Sequence, residues 1–314
     1  MEKFLQEFKL QFQFKPVIEN LNNFKGKNKF LIVGMGGSHL AADLLKITHP
    51  FLDLTIISDF NLPQLSDLLE RKIILISYSG NTLETINALQ KLERTKIKPL
   101  MISANGLLLA RAKINKYPYI ELPEKNLPPR LAIGYLYLSL LKAINDENSL
   151  KKISGDLIKF NFSKIQKRAL TLSLKLKGKI PIIYSSFINY PLAYNFKIRF
   201  NETAKIPAFC HYLPEANHNE IQGFYRLKKI FYFLLLEDKT DSKELIATFK
   251  TIKKFLKDKK FFVESLTLDE KDVFKKIFSA IHLADLLSFY LAKIYKLDPL
   301  STPFIDEIKK RLKI

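Results

Sequence analysis

The stretch Ile73-Ile-Leu-Ile-Ser-Tyr-Ser-Gly-Asn-Thr-Leu-Glu84 joins a short apolar run, a loop of hydroxyl residues and the start of a helix. Asn81 followed by Glu84 has the spacing of a capping box at a helix N-terminus. Such an end presents free backbone N–H groups and the positive pole of the helix dipole, which favours an anion such as phosphate. Hydroxyl donors come from Ser77, Ser79 and Thr82. The loop is therefore predicted to bind a phosphate monoester.

Apolar runs typical of strands alternate with helical patterns on both sides of this stretch. In the first half the predicted strands cover 30–33, 54–58, 73–77, 99–103 and 119–122. Alternation at this spacing indicates βαβ units in a parallel sheet with helices on both faces. A similar series begins again at 180–184 and continues with strands at 229–236 and 261–266. The fold class is predicted as α/β, with one domain over 1–150, a second over 151–314, and a linker at 146–149.

Composition limits the classes of protein that fit. A chain of 314 residues, 47% hydrophobic and 26% charged, is typical of a globular protein with a substantial core. Cys210 is the only cysteine, which excludes an intrachain disulfide and fits a reducing cytoplasm. The N-terminus lacks a signal-like apolar core, and stretches such as Leu131–Leu141 are shorter than a membrane span. We expect a cytoplasmic protein that does not associate with membranes.

The formal charge of +20 raises the question of nucleic-acid binding. Only 8 of the 51 basic residues are arginine, and the 43 lysines are scattered over every segment. Arginine clusters of the kind that read bases are absent from the sequence. The charge is interpreted as a solvated lysine-rich surface that also attracts anionic substrates, and no nucleic-acid partner is expected.

Four segments resemble a known family, the bifunctional phosphoglucose/phosphomannose isomerases, whose members are built from sugar isomerase (SIS) domains. The segments are Gly34-Met-Gly-Gly-Ser38, Ser77-Tyr-Ser-Gly-Asn-Thr82, Asn201-Glu-Thr-Ala-Lys205 and Leu213-Pro-Glu-Ala-Asn-His-Asn-Glu-Ile-Gln-Gly223. The tail from Asp298-Pro299 through Lys309 resembles the C-terminal signature of the family. The resemblance implies two SIS domains, each a flavodoxin-like parallel sheet flanked by helices, followed by a C-terminal helical tail.

The resemblance also implies the reaction. It is the interconversion of glucose 6-phosphate, and of mannose 6-phosphate, with fructose 6-phosphate through a cis-enediol. No metal and no cofactor is needed by this route. The partners it implies are the hexose 6-phosphate substrates and a second copy of the chain, in a homodimer whose active sites are shared between the subunits.

The glycine-rich turn after the first strand allows more than one interpretation. A dinucleotide fingerprint would require glycine where the chain has His39, so NAD binding is disfavoured. A tight strand–helix turn is the structural alternative. The preferred interpretation is close backbone approach to a substrate, with Gly36, Gly37 and Ser38 beside the sugar. For the second loop, by resemblance, Ser77, Ser79 and Thr82 hold the 6-phosphate rather than serving only as turn residues.

Glu202 is the predicted catalytic base. Aldose–ketose isomerisation needs a carboxylate that removes a proton from one carbon and returns it to the neighbouring carbon. A glutamate near a helix end is more often simply solvated, but the resemblance assigns this role to Glu202. Arg130 follows Pro128-Pro129, which stiffens the backbone. The resemblance places Arg130 near the enediolate oxygens, where its permanent charge is stabilising.

Three further residues take their roles from the resemblance. His218 is assigned to opening of the sugar ring, contributed by the partner subunit, with Asn217 and Asn219 expected to orient its imidazole. Lys309 is assigned to the ring oxygen or the enediolate. Thr302 is a weaker candidate that leaves room for rotation about the C2–C3 bond of mannose 6-phosphate.

Two positions of this chain depart from the family pattern. The family often has arginine and tryptophan where this chain has Asn195 and Phe196, which are interpreted as packing changes. A zinc-dependent isomerase would use His211, Glu215, His218 and Glu220, whose spacing fits no metal template well. A phosphosugar sensor is the alternative outside enzymes, and the presence of both Glu202 and His218 argues for turnover instead.

Overall fold

The computed structural model describes residues 1–123, 126–159, 161, 163–226 and 229–312. Its strands are β1 Phe30–Gly34, β2 Leu54–Ile57, β3 Lys72–Ile76, β4 Leu100–Ser103, β5 Tyr119–Glu121, β6 Ile180–Ser186, β7 Phe209–Leu213, β8 Phe231–Asp238 and β9 Phe262–Leu268. Its α-helices are α1 Glu2–Gln6, α2 Leu40–Thr48, α3 Leu65–Leu69, α4 Leu83–Glu93, α5 Gly106–Ile114, α6 Ile133–Ala143, α7 Glu147–Asp156, α8 Ser163–Leu176, α9 Tyr190–Arg199, α10 Glu220–Gly223, α11 Lys243–Asp258, α12 Val273–Ile294 and α13 Pro303–Arg311.

The chain divides into two compact units. The N-terminal unit comprises Gln6–Phe160 together with Ile305–Ile314, and the C-terminal unit comprises Met1–Leu5 together with Asn161–Phe304. The sequence-based boundary between residues 150 and 151 falls inside α7. The linker predicted at 146–149 is wrong, because Asp146 is the N-cap of α7 and its carboxylate accepts the amide hydrogen of Ser149.

The N-terminal unit is built on a five-stranded sheet of order β2-β1-β3-β4-β5. Every neighbouring pair is parallel, with Phe30 opposite both Leu54 and Lys72 in the register. β1, β3 and β4 are almost fully buried, because helices cover both faces of a parallel sheet and each strand must be apolar on both sides. This strand order is the flavodoxin-like one, and ligands of such sheets bind at the carboxyl ends of the strands where the order reverses.

The C-terminal unit repeats the arrangement with four parallel strands in the order β7-β6-β8-β9. Its core contains Tyr184 on β6, Phe233 on β8 and Phe249 on α11, all 3% exposed or less. The predicted α/β fold with two flavodoxin-like parallel sheets is confirmed. β7 was not predicted, because its sequence Phe-Cys-His-Tyr-Leu lacks a continuous apolar run and it lies at the edge of the sheet.

The longest helix, α12, is the main buried helix of the C-terminal unit. By length and composition it is long and apolar enough to cross a membrane. The stretch Leu131–Leu141 is too short to do so. Length and composition do not distinguish a membrane span from a core helix, and 78% of the most apolar window of α12 is buried inside the structure. α12 packs against α8 and α9.

A chain of hydrogen bonds fixes the start of α7 in the N-terminal unit. His49 Nε2 lies 2.9 Å from Asp146 Oδ2, and the other carboxylate oxygen accepts the amide of Ser149 at 3.0 Å. His49 Nδ1 contacts Thr48 Oγ1 at 2.8 Å, and that hydroxyl contacts Tyr137 at 2.7 Å. Partial burial raises the pKa of Asp146, but the bonds from Ser149 and His49 outweigh burial and the net pKa is lowered.

Replacing Asp146 by alanine is expected to lower the free energy of unfolding by about 1–2 kcal/mol, because the helix cap and the contact with His49 are lost together. The folded state lowers the pKa of Asp146 below its ordinary value of 3.8. The stabilisation is therefore complete above about pH 3.8 and is lost as the pH falls through the lower folded pKa. Urea unfolding of the wild-type protein and of the Asp146→Ala variant, near neutral pH and near pH 3, measures the difference in their free energies of unfolding. This difference is expected to be smaller near pH 3. Glu270→Gln, which neutralises an exposed carboxylate, serves as control. If the difference in free energy of unfolding between wild type and Asp146→Ala stays constant with pH, the stabilising role of the Asp146 carboxylate is contradicted.

Candidate active site

Two loops meet at the carboxyl edge of the N-terminal sheet. One follows β1 and turns through Gly36–Ser38, and the other follows β3 and runs from Ser77 to Thr82. Since β1 and β3 are adjacent and parallel, their loops leave the same edge. The Ser38 hydroxyl accepts the backbone N–H of Tyr78 at 3.1 Å, so the two predicted binding loops are joined directly.

Ser77 is the centre of the hydroxyl loop. It is fully buried, and its Oγ lies 2.8 Å from Thr82 Oγ1 and accepts the Thr82 amide at 3.3 Å. Ser79 is exposed on the rim of the loop, and its Oγ accepts the Asn81 amide at 3.4 Å. The three predicted hydroxyls are thus brought together within six residues, with one buried, one half-buried and one exposed.

The capping box predicted for α4 is wrong by one residue. The structure places the N-cap at Thr82, and no side chain caps the helix. An uncapped first turn leaves N–H groups without an acceptor inside the helix, which is the arrangement that favours an anion. Asn81 acts elsewhere: its Oδ1 accepts the amide of Leu107 at 2.9 Å, in the first turn of α5.

Gly80 allows the loops after β3 and β4 to touch. Its φ is +73°, and a Cβ built on it would lie 1.8 Å from the carbonyl oxygen of Asn105. Its own carbonyl accepts the amide of Leu108 at 2.9 Å. No side chain fits at this position, so the hydroxyl loop owes its shape to backbone contact with the next loop of the sheet.

Arg130 belongs to the same unit and packs against the glycine-rich turn. A Cβ on Gly37 would lie 2.6 Å from the Arg130 amide nitrogen and 2.8 Å from the Pro129 carbonyl carbon. Arg130 is 3% exposed, which is rare for arginine and places its charge inside the protein rather than on a solvated face. The structure therefore groups Gly36, Gly37, Ser38, Ser77, Ser79, Thr82 and Arg130 at one sheet edge.

Glu202 lies in the C-terminal unit, on a turn of π-helix that spans Phe200–Ala204 and continues α9. The Phe200 carbonyl accepts the amides of both Lys205 and Ile206, which closes this wide turn. Single π turns inside helices are frequent at functional sites. Glu202 is half-buried, so its carboxylate is neither fully solvated nor sealed in the core.

The residue before this turn carries a buried ion pair that the sequence did not reveal. Arg199 Nε donates to Asp285 Oδ1 at 2.5 Å, and both side chains are 1% exposed or less. Arg199 Nη1 also donates to Asn195 Oδ1 at 2.8 Å. Asn195 is therefore a hydrogen-bonding partner and not merely a packing change. Burial and the Arg199 charge lower the pKa of His282 to about 4. The only signal of this pair in the sequence is an arginine near the end of the predicted helical stretch 192–200.

His218 is exposed at the end of a 3-10 turn, Glu215–His218, which follows β7. The Asn219 side-chain amide donates to Glu215 Oε1 at 3.0 Å, and the expected orientation of the His218 ring by Asn217 and Asn219 stays a prediction. Nearby, burial raises the pKa of Glu220, partly opposed by His211. An exposed imidazole in one chain is accessible to a second molecule.

The C-terminal segment contains the remaining predicted residues. Asp298 accepts the amides of Leu300 and Ser301 at 3.0 and 3.3 Å, which lowers its pKa. Its carbonyl accepts Lys205 Nζ, so the start of the tail is tied to the residue that ends the Glu202 turn. Thr302 follows in the C-terminal unit, and Lys309 lies on α13, which is exposed and assigned to the N-terminal unit. Their predicted roles stay predictions.

Within the described residues, no group of three or more histidine, cysteine, aspartate and glutamate side chains is arranged to hold a metal ion. The alternative zinc set of His211, Glu215, His218 and Glu220 does not form such a group. The Glu215 carboxylate is instead bonded to Asn219, and His211 Nδ1 accepts the Tyr212 amide at 2.7 Å.

Comparison with known proteins decides the family. A protein of Caldicellulosiruptor bescii named bifunctional phosphoglucose/phosphomannose isomerase is 30% identical over 305 residues, or 91% of this chain and 89% of the relative. This chain belongs to the bifunctional phosphoglucose/phosphomannose isomerase family. A protein of the same name from Aquifex aeolicus is 29% identical over 317 residues, which are 99% of this chain and 98% of that one.

Two further comparisons agree with this family. Residues 165–312 match the family model of the bacterial phospho-glucose isomerase C-terminal SIS domain. The solved structure of a candidate phosphosugar isomerase from Clostridium difficile 630 aligns with a TM-score of 0.74 at 14% identity and covers 98% of this chain and 97% of that chain. At that identity the likeness shows a common fold. The predicted resemblance to this SIS-domain family is thereby confirmed.

Replacing Ser77 by alanine is expected to weaken binding of inorganic phosphate about 10-fold or more, because a hydroxyl that supports the loop and donates to an anion is removed. Isothermal titration with phosphate at constant ionic strength measures the effect. Ser139→Ala is the matched control, since Ser139 is equally buried in the same unit and its hydroxyl donates to the Tyr135 carbonyl. Equal phosphate affinity in the Ser77 and Ser139 variants would place the anion elsewhere.

Proposed function

We propose that this protein is an aldose–ketose isomerase that interconverts glucose 6-phosphate, and also mannose 6-phosphate, with fructose 6-phosphate. The observation that carries the proposal is the pair of loops after β1 and β3, joined at Ser38 and Tyr78 beside the uncapped start of α4. Relatives that bear the isomerase name over nearly their whole length support the choice of reaction.

The hydroxyl loop is proposed to grip the phosphate of the substrate. Ser77, Ser79 and Thr82 donate to the phosphate oxygens, and the first-turn amides of α4 add further donors together with the positive helix end. The neighbouring Gly36–Ser38 turn supplies backbone close to the sugar. A dianion held at one end fixes the position of the reacting carbons, which reduces the entropic part of the barrier.

Glu202 is proposed as the base of the reaction. It removes the proton from C2 of the opened aldose and returns it to C1, while the proton of the O2 hydroxyl passes to the O1 carbonyl oxygen, so that the carbonyl moves from C1 to C2. The intermediate is a cis-enediol, and its anionic form is stabilised by the permanent charge of Arg130. Neither step requires a metal or a cofactor.

His218 is proposed to protonate the ring oxygen when the cyclic sugar opens, and Lys309 to act beside the ring oxygen or the enediolate. Thr302 leaves room for rotation about C2–C3. We further propose a cytoplasmic homodimer in which His218 serves the site of the other subunit. The exposure of His218 in the single chain supports this arrangement.

Purified protein is expected to convert both glucose 6-phosphate and mannose 6-phosphate to fructose 6-phosphate, at a rate that EDTA leaves unchanged. A coupled assay with each substrate, with and without chelator, measures it. Loss of activity in EDTA with recovery on adding zinc would overturn the metal-free mechanism. Saturable binding of fructose 6-phosphate without turnover would identify a phosphosugar sensor instead.

Replacing Glu202 by glutamine is expected to lower kcat by roughly 10²- to 10⁴-fold, because the amide cannot accept the carbon-bound proton. Binding of fructose 6-phosphate should remain near wild type by titration. Glu244→Gln on α11 is the control, an exposed glutamate outside the assigned site. A Glu202 variant with near wild-type kcat would refute the assignment of the base.

The same variant tests the shared site. Glu202→Gln and His218→Ala chains are each expected to be nearly inactive. If the two residues of a site come from different subunits, co-expression of the two variant chains is expected to restore about a quarter of the wild-type rate. About half of the dimers are then mixed, and each mixed dimer has one intact site of two. No recovery would show that both residues of a site belong to the same chain.

A further inference from the structure

We infer that the buried Arg199–Asp285 pair is a positioning device for Glu202, and this inference rests on the proposed function. The pair joins the last residue of α9 to the middle of α12, with Nε 2.5 Å from the carboxylate. Arg199 is the residue immediately before the π turn that carries Glu202. The guanidinium thereby fixes where that turn begins.

The burial of this pair needs an explanation beyond stability. Two charges removed from water lose their hydration, and the attraction between them often no more than offsets that loss. Apolar residues of similar size are frequently as stable at such positions. Arg199 is 0% exposed and Asp285 is 1% exposed, so the pair carries the full desolvation cost. A directional constraint on the neighbouring turn is a benefit that apolar packing does not provide.

Several bonds transmit this constraint to the turn. Asn195 accepts Arg199 Nη1 through both its side-chain and backbone oxygens, at 2.8 and 3.3 Å, which fixes the guanidinium along α9. The Asn195 amide donates to the Pro191 carbonyl at 2.8 Å, so the acceptor is itself held. α9 and the π turn both pack against α12, which presents Asp285.

The turn is also held at its far end. Lys205, in the left-handed region with φ of 56°, donates its amide to Phe200 and its ammonium to the Asp298 carbonyl. Asn201 donates to the Ile206 carbonyl at 2.9 Å. Glu202 therefore lies between two anchors, of which the Arg199–Asp285 pair is the buried one and Lys205 the accessible one. Small displacements of a reacting group cost large factors in rate, so loss of either anchor should affect turnover.

A second buried ion pair on the same helix provides a matched control. Lys276 Nζ lies 2.6 Å from Asp238 Oδ2, and the two side chains are 10% and 2% exposed. This pair ties α12 to the end of β8 rather than to the π turn. Neutralising it removes a comparable buried interaction from the same unit and leaves the start of the Glu202 turn attached.

The test compares Arg199→Met/Asp285→Asn with Lys276→Met/Asp238→Asn. The first double variant is expected to lower kcat for isomerisation about 10- to 100-fold with KM near wild type, because the phosphate grip is untouched while the base is displaced. The Lys276/Asp238 variant is expected to keep kcat. Arg199→Lys retains the charge pair and should be more active than the Arg199/Asp285 variant. Wild type and Glu202→Gln are measured alongside.

The outcomes separate this inference from the proposed function. If the Arg199/Asp285 variant is fully active and Glu202→Gln is inactive, the positioning role of the Arg199–Asp285 pair is overturned, while Glu202 remains the proposed base. Equal losses in both double variants, or a rise of KM that matches the fall in kcat, also overturn it. Activity in Glu202→Gln refutes the proposed base instead. Should the Arg199/Asp285 variant lose its folded circular-dichroism spectrum, Asn195→Ala replaces it, with reduced kcat expected and unchanged kcat contradicting the inference.

Discussion

Backbone contact between Gly80 and Asn105 is the constraint on which the hydroxyl loop after β3 depends. A parallel sheet brings successive loops to one edge, but it does not bring their backbones into contact. Here the loops after β3 and β4 touch where no side chain intervenes, with an added Cβ only 1.8 Å from a carbonyl oxygen. In the same loop Ser77 is fully buried, and the first turn of α4 has no side-chain cap.

The two units use the same strand order for different purposes. In the N-terminal unit the edge beyond β1 and β3 carries hydroxyls, glycines and a buried arginine. In the C-terminal unit β8 ends at Asp238, whose carboxylate is already occupied by Lys276, Asn189 and Thr240. The negative charge of the Asp238 carboxylate disfavours phosphate binding at this edge of the C-terminal sheet, and its hydrogen bonds serve a structural role. The proposed base of this unit, Glu202, lies instead on the π turn that follows α9.

Much of the architecture was predictable because buried parallel strands are continuous apolar runs. β1, β3 and β6 were predicted within a residue or two of their observed bounds for this reason. β7 was missed because an edge strand needs fewer apolar positions, and its residues alternate irregularly. The sequence predicts a linker at 146–149, where α7 begins, because a capping Asp146 and a polar first turn resemble a loop until their hydrogen bonds are known. Asn81 was assigned to the wrong helix, since the amide it accepts lies 26 residues later in the chain.

The fold class, the family and the residue types of the candidate site are readable from the amino-acid sequence, because apolar periodicity and short motifs are local properties of the chain. Folding, by contrast, is what packs Gly37 on the backbone of Arg130 and lets Ser38 bridge the two loops. It also decided that Arg199 meets Asp285, which lies 86 residues away along the chain. Each of these contacts joins residues distant in sequence, and a local pattern contains no information about which distant backbone or charge will lie beside it.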